Sequence, residues 1–186
     1  MKTLFLFLFF LVATEQVIAA GKSLHDFTVK SIEGDPVSLD QFRGQVVMVV
    51  NTASRCGFTR QYSDLVELQT RFADRGFTVL AFPANNFGNQ EPGTNEEIAM
   101  FCEDNFQINF PLFARVSVRG EDMEPLFTYL TTAENPDFTG PIRWNFEKIL
   151  VGPDGRVVRR FRSMTRPNSR AIVQAVEALL AELPGS

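Results

Sequence analysis

Cys56 is the residue of this 186-residue chain whose type and setting best suit chemistry. It stands in the segment Asn-Thr-Ala-Ser-Arg-Cys-Gly-Phe-Thr (51–59), shortly after the apolar run Val46–Val50. Open α/β sheets bind ligands at the carboxyl ends of their strands. The small and polar residues around the cysteine also favour a loop over a core position. We therefore predict that Cys56 lies just before or inside the first turn of the next helix, where the helix dipole and Arg55 favour the reactive thiolate.

The remaining composition narrows what this thiolate can do. The chain has two cysteines and one histidine, His25. It therefore lacks a Cys-x-x-Cys redox pair, a four-cysteine zinc site and the common multi-histidine metal sites, and a cysteine–histidine protease pair is disfavoured. What remains is attack by the thiolate on an electrophilic oxygen or sulfur, which needs hydrogen-bond donors near the sulfur. The sequence predicts neither a cofactor nor a metal.

The overall composition is that of a globular protein. Hydrophobic residues make up 45% and charged residues 22%, which argues against disorder. The formal net charge of −4 disfavours a nucleic-acid-binding surface and a polybasic membrane patch.

Residues 1–20 have the pattern of an export signal. A charged start at Lys2 precedes the apolar run 4–13, and small residues follow at Ala19 and Ala20. The run is shorter than the roughly 20 apolar residues that span a bilayer, so we expect no stable membrane insertion. We predict a signal peptide over 1–20, a single domain over 21–186, and export, to a bacterial periplasm. A buried N-terminal helix or strand is the alternative.

The elements that must position Cys56 form an α/β arrangement. A buried strand, a helix with apolar spacing and a second buried strand make a βαβ unit. A capping box of Thr94 and Glu97 begins another helix, and a Gly-Pro-Asp-Gly turn joins a late hairpin. The result is a central mixed β-sheet flanked by helices. The predicted elements are strands at 25–32, 37–39, 46–50, 77–82, 146–151 and 157–161, and helices at 61–72, 95–106 and 169–180.

Three segments resemble the signatures of the glutathione peroxidase family. The segment 51–59 resembles the active-site signature, and Phe-Pro-Ala-Asn-Asn-Phe-Gly-Asn-Gln-Glu-Pro-Gly (82–93) resembles the second. Trp-Asn-Phe-Glu-Lys (144–148) resembles the third, and Phe-Pro at 110–111 also matches. The resemblance covers almost all of the chain after residue 21. It implies a thioredoxin-like fold and the reduction of hydrogen peroxide and organic hydroperoxides.

The resemblance also implies site residues. Cys56 matches the peroxidatic cysteine, and Gln90, Trp144 and Asn145 match the other members of the catalytic tetrad. The two amides and the indole N–H are neutral donors that can stabilise a thiolate and orient a peroxide. The chain departs from the family pattern at Ala84, where most non-animal members have cysteine, and its neighbour two residues on is Asn instead of Gln.

The second cysteine, Cys102, matches the resolving cysteine of thioredoxin-dependent members of the family. A buried structural thiol is the alternative. The segment between Glu121 and Trp144 is short, whereas tetrameric glutathione-using members carry a long insertion there. This favours a monomer with an open site that a large protein reductant and lipid hydroperoxides can reach.

The sequence thus predicts a thiol peroxidase that acts in the oxidative stress response. Cys56 attacks the hydroperoxide, Cys102 resolves the sulfenic acid, and a thioredoxin-like dithiol or a small thiol returns the electrons. Two alternatives stay open. One is a peroxide sensor that oxidises a partner protein, and the other is an exported thioredoxin-fold module with an inactive site.

Overall fold

The structure, a computed structural model, describes residues 22–183. The predicted signal peptide, residues 1–20, lies outside the described residues. A small hairpin precedes a four-stranded sheet, and four helices connect and cover its strands. In chain order the elements are β1 (Thr28–Lys30), β2 (Pro36–Ser38), β3 (Val46–Thr52), α1 (Gln61–Phe72), β4 (Phe77–Pro83), α2 (Asn95–Phe106), α3 (Pro125–Thr132), β5 (Lys148–Val151), β6 (Val157–Phe161) and α4 (Arg170–Leu180).

The main sheet has the strand order β4-β3-β5-β6. β3 and β4 are parallel, with Val46 opposite Phe77, while β5 runs antiparallel to both β3 and β6. The predicted mixed sheet is therefore confirmed. Every residue of β3, β4 and β5 is buried, because two apolar clusters pack against the sheet. One cluster includes residues of α1, α2 and α4, and the other includes residues of α3. β3, which ends just before the loop of Cys56, is thus a rigid support.

Local sequence signals placed most helix ends correctly. α1 and α2 span the predicted ranges, and the capping box is formed: the Glu97 N–H donates to Thr94 Oγ1 at 3.3 Å, and the Thr94 N–H donates to Glu97 Oε2 at 2.9 Å. α3 was not predicted, although Pro125 at its first turn is a recognised start signal. The late hairpin is confirmed, but β5 begins two residues later than predicted because Phe146 has a left-handed φ of 61°.

The loop after β6 is hydrogen-bonded to the start of α1 and to β5. Gln61 Nε2 donates to the Ser163 carbonyl at 2.7 Å, and Lys148 Nζ donates to the carbonyls of Ser163 and Thr165 at 3.2 and 2.7 Å. Lys148 is fully buried, and burial lowers its pKa to about 7. These bonds hold the beginning of α1, and hence the far end of the Cys56 loop, against β5.

Candidate active site

Cys56 lies in a turn-rich loop and not in a helix. α1 begins five residues later, at Gln61, so the predicted placement in or directly before its first turn is wrong. The reason is local: the Cys56 N–H donates to Thr59 Oγ1 at 3.0 Å, and that hydroxyl donates to the Ala53 carbonyl at 2.8 Å. The threonine side chain thus folds the segment back on itself before the helix starts.

The donor nearest the sulfur is supplied by the loop itself. Phe58 N–H donates to Cys56 Sγ at 3.4 Å. This backbone N–H, and not the end of a helix, is the donor that points at the sulfur. Cys56 is half-buried, so the sulfur is held in place yet open to a small substrate.

Gln90 lies on the loop after β4, next to the Cys56 loop. The Arg55 N–H donates to the Gln90 carbonyl at 3.0 Å, which joins the two loops directly. Asn85 shapes the turn: its Oδ1 accepts from the Glu91 N–H at 2.8 Å, and its Nδ2 donates to Asn89 Oδ1 at 2.6 Å. These side-chain bonds replace backbone pairing and turn Gln90 back toward the end of β3.

Asn145 meets Gln90 side chain to side chain. Asn145 Nδ2 donates to Gln90 Oε1 at 3.0 Å, across 55 residues of sequence. Asn145 is fully buried. Because the side-chain oxygen of Gln90, Oε1, accepts this bond, the side-chain NH₂ group of Gln90 remains as a donor for a substrate or a charged sulfur. The structure therefore brings together two of the three amide and indole donors that the family resemblance implied.

Asn51, which the sequence analysis did not single out, positions the third segment. It sits at the end of β3, where its Nδ2 donates to the Trp144 carbonyl at 3.1 Å and its Oδ1 accepts from the Glu147 N–H at 3.1 Å. Phe146, whose left-handed φ costs on the order of 1–3 kcal/mol, is fixed by an N–H bond to the Asn51 carbonyl. An amide near the end of an apolar strand, inside a signature, was the available signal.

Trp144 is placed differently from its two partners. Its side chain is 40% exposed, and its ring lies 5.8 Å from that of Phe87. A buried position would have made it an ordinary core residue. Its exposure beside the buried Asn145 leaves the indole at the surface of the site, where a substrate can contact it.

The two departures from the family pattern lie in different surroundings, one in the core and one in an exposed loop. Ala84 is fully buried, and its N–H donates to the Thr52 carbonyl at 3.0 Å, so this position is part of the core. Asn86 anchors a different loop, since its Oδ1 accepts from the Val118 N–H at 2.8 Å and its Nδ2 donates to Ser117 Oγ at 2.9 Å. Neither residue disturbs the contact between Gln90 and Asn145.

Cys102 lies in the second half of α2 and is fully buried. Both cysteines are free thiols, and Cys56 packs against the same apolar cluster that contains Cys102 and Tyr62. Burial raises the pKa of the Cys102 thiol to about 11, the Glu91 carboxylate adds to the rise, and the nearby Tyr62 hydroxyl partly offsets it. In this conformation Cys102 is therefore a neutral, shielded thiol.

Within residues 22–183, no group of three or more His, Cys, Asp or Glu side chains is arranged to hold a metal ion. No helix in the same range has the length and apolarity needed to cross a membrane.

Comparisons with known proteins show which family this chain resembles. The family model described as glutathione peroxidase matches residues 24–131. The hydroperoxy fatty acid reductase gpx1 of Synechocystis is 46% identical over 168 residues, covering 87% of this chain and 98% of that protein. The glutathione peroxidase-like peroxiredoxin 2 of Saccharomyces cerevisiae is 42% identical over 162 residues, covering 86% and 98%. The crystal structure of T. cruzi GPX1 has a TM-score of 0.69 and 30% identity, covering 86% of this chain and 97% of that one.

Fold and site together define a peroxidase of thioredoxin fold, with a thiol on the loop that follows β3. The chain belongs to the glutathione peroxidase family. The family model ends at residue 131, but the relatives extend over most of the chain, so the third segment, 144–148, belongs to the matched protein as well.

Proposed function

We propose that the protein is a two-cysteine thiol peroxidase that reduces hydrogen peroxide and organic hydroperoxides, including lipid hydroperoxides, with electrons from a thioredoxin-like dithiol. The observation that carries this proposal is the link between the Cys56 loop and the Gln90–Asn145 pair through the Arg55–Gln90 backbone bond. It supports a role for these amide donors near a thiol whose sulfur already accepts a backbone N–H.

The first step is attack of the Cys56 thiolate on one peroxide oxygen. The O–O bond breaks, the alkoxide leaves and takes a proton to become an alcohol, and the sulfur becomes sulfenic acid. Negative charge moves from sulfur to the leaving oxygen during this step. Neutral donors such as the Gln90 NH₂ stabilise that charge by hydrogen bonding and keep their own protons.

The second step regenerates the enzyme. The Cys102 thiol condenses with the sulfenic acid, giving a Cys56–Cys102 disulfide and water, and a dithiol partner then reduces the disulfide. Cys102 is buried in α2, so we expect the second half of this helix to open locally before the sulfurs meet. The names of the Synechocystis and yeast relatives support hydroperoxide substrates and peroxiredoxin-like turnover.

The test of the electron donor compares three conditions. Peroxide consumption is measured with thioredoxin and its reductase, with glutathione, and with no reductant. We expect rapid turnover with thioredoxin, slow turnover with glutathione, and one equivalent consumed without a reductant. Faster turnover with glutathione would reject the dithiol donor. Stoichiometric oxidation with negligible turnover in both systems would favour the alternative of a sensor that oxidises a partner protein.

Replacing the amides tests the donor roles. We expect Gln90→Ala and Asn145→Ala each to slow the oxidation of Cys56, because loss of one well-placed donor costs on the order of 10²–10³ in rate. Stopped-flow measurement of the second-order rate with hydrogen peroxide checks this. Gln41→Ala, an exposed amide in the turn after β2, is the matched control and should keep the wild-type rate. Unchanged rates in both site variants would remove these residues from the mechanism.

We further propose that residues 1–20 are removed as a signal peptide, that residues 21–186 form the mature single domain, and that this domain works as an exported monomer, in a bacterial periplasm. The support is the charged start, short apolar run and small residues of the N-terminal sequence, together with the short segment before Trp144. N-terminal sequencing of the protein recovered from the periplasm should begin near residue 20. Light scattering should give the mass of one chain.

A further inference from the structure

A buried polar cluster lies beneath the Cys56 loop and is not used by the steps above. It consists of Ser54, Tyr62, Glu91 and Cys102, and we call it the inter-cysteine cluster. Glu91 is only 1% exposed, and Tyr62 and Cys102 are fully buried. Ser54 offers its hydroxyl and its N–H to the Glu91 carboxylate. Within the part of the chain that the structure describes, no group makes a well-formed hydrogen bond to Glu91 Oε2. An incompletely satisfied buried carboxylate is costly, so its retention calls for a role.

Two members of the cluster, Ser54 and Glu91, border a cavity of about 430 Å³. Its lining includes Arg55 and Phe101, which directly precede Cys56 and Cys102 in the sequence. Two other carboxylates, those of Glu97 and Asp104, also line the cavity, but both residues are exposed. Glu91 is thus the buried carboxylate at a cavity that the segments of both cysteines border.

Electrostatics tie Glu91 to the cysteine it faces. Burial raises the pKa of Glu91, an effect that hydrogen bonds from Ser54 and the positive charges of Arg115 and Arg55 partly offset. The Glu91 charge in turn contributes to the raised pKa of Cys102. Two negative charges this close and this buried disfavour each other, so the pair holds one proton more readily than none. In the closed conformation Cys102 is therefore a protonated thiol, and a base beside it would promote its attack on the sulfenic acid.

We propose that Glu91 is the proton acceptor for the Cys102 thiol during resolution and that it then passes this proton to the oxygen leaving Cys56. In this step the S–H bond of Cys102 breaks and its proton moves to Glu91 Oε2. The S–S bond forms as the S–O bond of the Cys56 sulfenic acid breaks, and the leaving hydroxide takes the proton from Glu91 to become water. The carboxylate is restored, and no external oxidant or reductant enters. This inference rests on the proposed function, since it concerns the Cys56–Cys102 disulfide.

The position of Glu91, in addition to its charge, supports this assignment. The Glu91 backbone is fixed independently of its side chain: its N–H donates to Asn85 Oδ1, and its carbonyl accepts from Arg115 Nη1 at 3.1 Å. The side chain is therefore held at the cavity even when α2 moves. Glu96 and Glu97, on the first turn of α2, are exposed to solvent, whereas Glu91 is buried.

The test uses Glu91→Gln, which keeps the side-chain shape and removes the base. Glu96→Gln is the matched control, because it removes the same charge from an exposed position on α2. After one equivalent of hydrogen peroxide, acid quenching and mass spectrometry separate sulfenic acid from disulfide between pH 6 and 9. In Glu91→Gln we expect Cys56 oxidation at the wild-type rate, but disulfide formation slower by about 10²–10⁴ at pH 7, the usual contribution of general acid–base catalysis.

The pH profile separates a base from a structural role. In Glu91→Gln the rate of disulfide formation should rise about tenfold per pH unit, because hydroxide must then generate the thiolate. Wild type and Glu96→Gln should show a much shallower rise. Glu91→Asp, which keeps a carboxylate, should also keep the shallow profile at a reduced rate. If Glu91→Gln does not fold, a steep profile in Glu91→Asp is the result that would contradict the inference.

Two results would overturn the inference. One is a wild-type rate of disulfide formation in Glu91→Gln, and the other is a slower rate with an unchanged pH profile. If wild type itself forms no Cys56–Cys102 disulfide, the proposed two-cysteine function is what fails. The two failures are therefore distinguished by the wild-type sample.

Discussion

Cys56→Ser is expected to reduce peroxide consumption to the uncatalysed rate under every reductant. The serine hydroxyl is a far weaker nucleophile than a thiolate at neutral pH, and it cannot store an oxygen atom as sulfenic acid. Cys56 is the thiol on the loop that joins the Gln90–Asn145 pair, whereas Cys102 is buried in α2. The measurement is the initial rate of peroxide loss, followed with thioredoxin and its reductase present.

The fold should be retained in this variant. The loop is held by backbone bonds and by the Thr59 hydroxyl. The cysteine side chain accepts one hydrogen bond, from the Phe58 N–H, and packs at the edge of the apolar cluster, where serine fits with little change in volume. An unchanged thermal unfolding midpoint and a free, unoxidised Cys102 are therefore the controls. Turnover in Cys56→Ser near that of wild type would refute the assignment of the nucleophile.

Cys102→Ser is expected to separate oxidation from turnover. The variant should consume one equivalent of peroxide at the wild-type rate, since Cys102 takes no part in the attack, and then stop. Its Cys56 should appear as sulfenic acid and, with excess peroxide, as sulfinic acid, because no internal thiol condenses with it. Thioredoxin-dependent turnover should fall to the slow rate at which an external thiol reaches Cys56.

Peptide mass spectrometry of the oxidised proteins checks this directly. Wild type should yield the linked Cys56–Cys102 peptides, and Cys102→Ser should not. Cys102→Ala controls for the cost of placing a hydroxyl in a fully buried position, which is about 1–3 kcal/mol unless the hydroxyl finds a partner such as Tyr62. Full thioredoxin-dependent turnover in both variants would make Cys102 a core thiol and the protein a one-cysteine peroxidase.

Local patterns in the sequence determined the framework of this protein. The uninterrupted apolar runs of β3 and β4 identify buried strands, and the capping box at Thr94 fixes the start of α2 to the residue. These features depend on neighbours within about four positions, and periodicity and capping express such short-range preferences. The family signatures then supplied the site residues, which composition and spacing alone did not identify beyond Cys56.

Tertiary structure decided how those residues work together. The Gln90–Asn145 bond and the two bonds that Asn51 makes join positions 55 to 96 residues apart, so no local pattern encodes them. The position of Cys56 relative to α1 was predicted wrongly for a different, local reason. The Thr59 hydroxyl accepts from the Cys56 N–H and donates to the Ala53 carbonyl, so this segment forms a turn and α1 begins at Gln61.

Glu91 illustrates the same limit most clearly. In the sequence it is one acidic residue in a Gly- and Pro-rich segment, where a carboxylate is ordinarily solvated. Its 1% exposure and its place between the loop of Cys56 and the turn of Cys102 arise only when the ends of β3 and β4 are brought side by side and α2 packs across them. Burial is a property of the assembled layers, and burial is what turns an ordinary carboxylate into a group that exchanges a proton with a thiol.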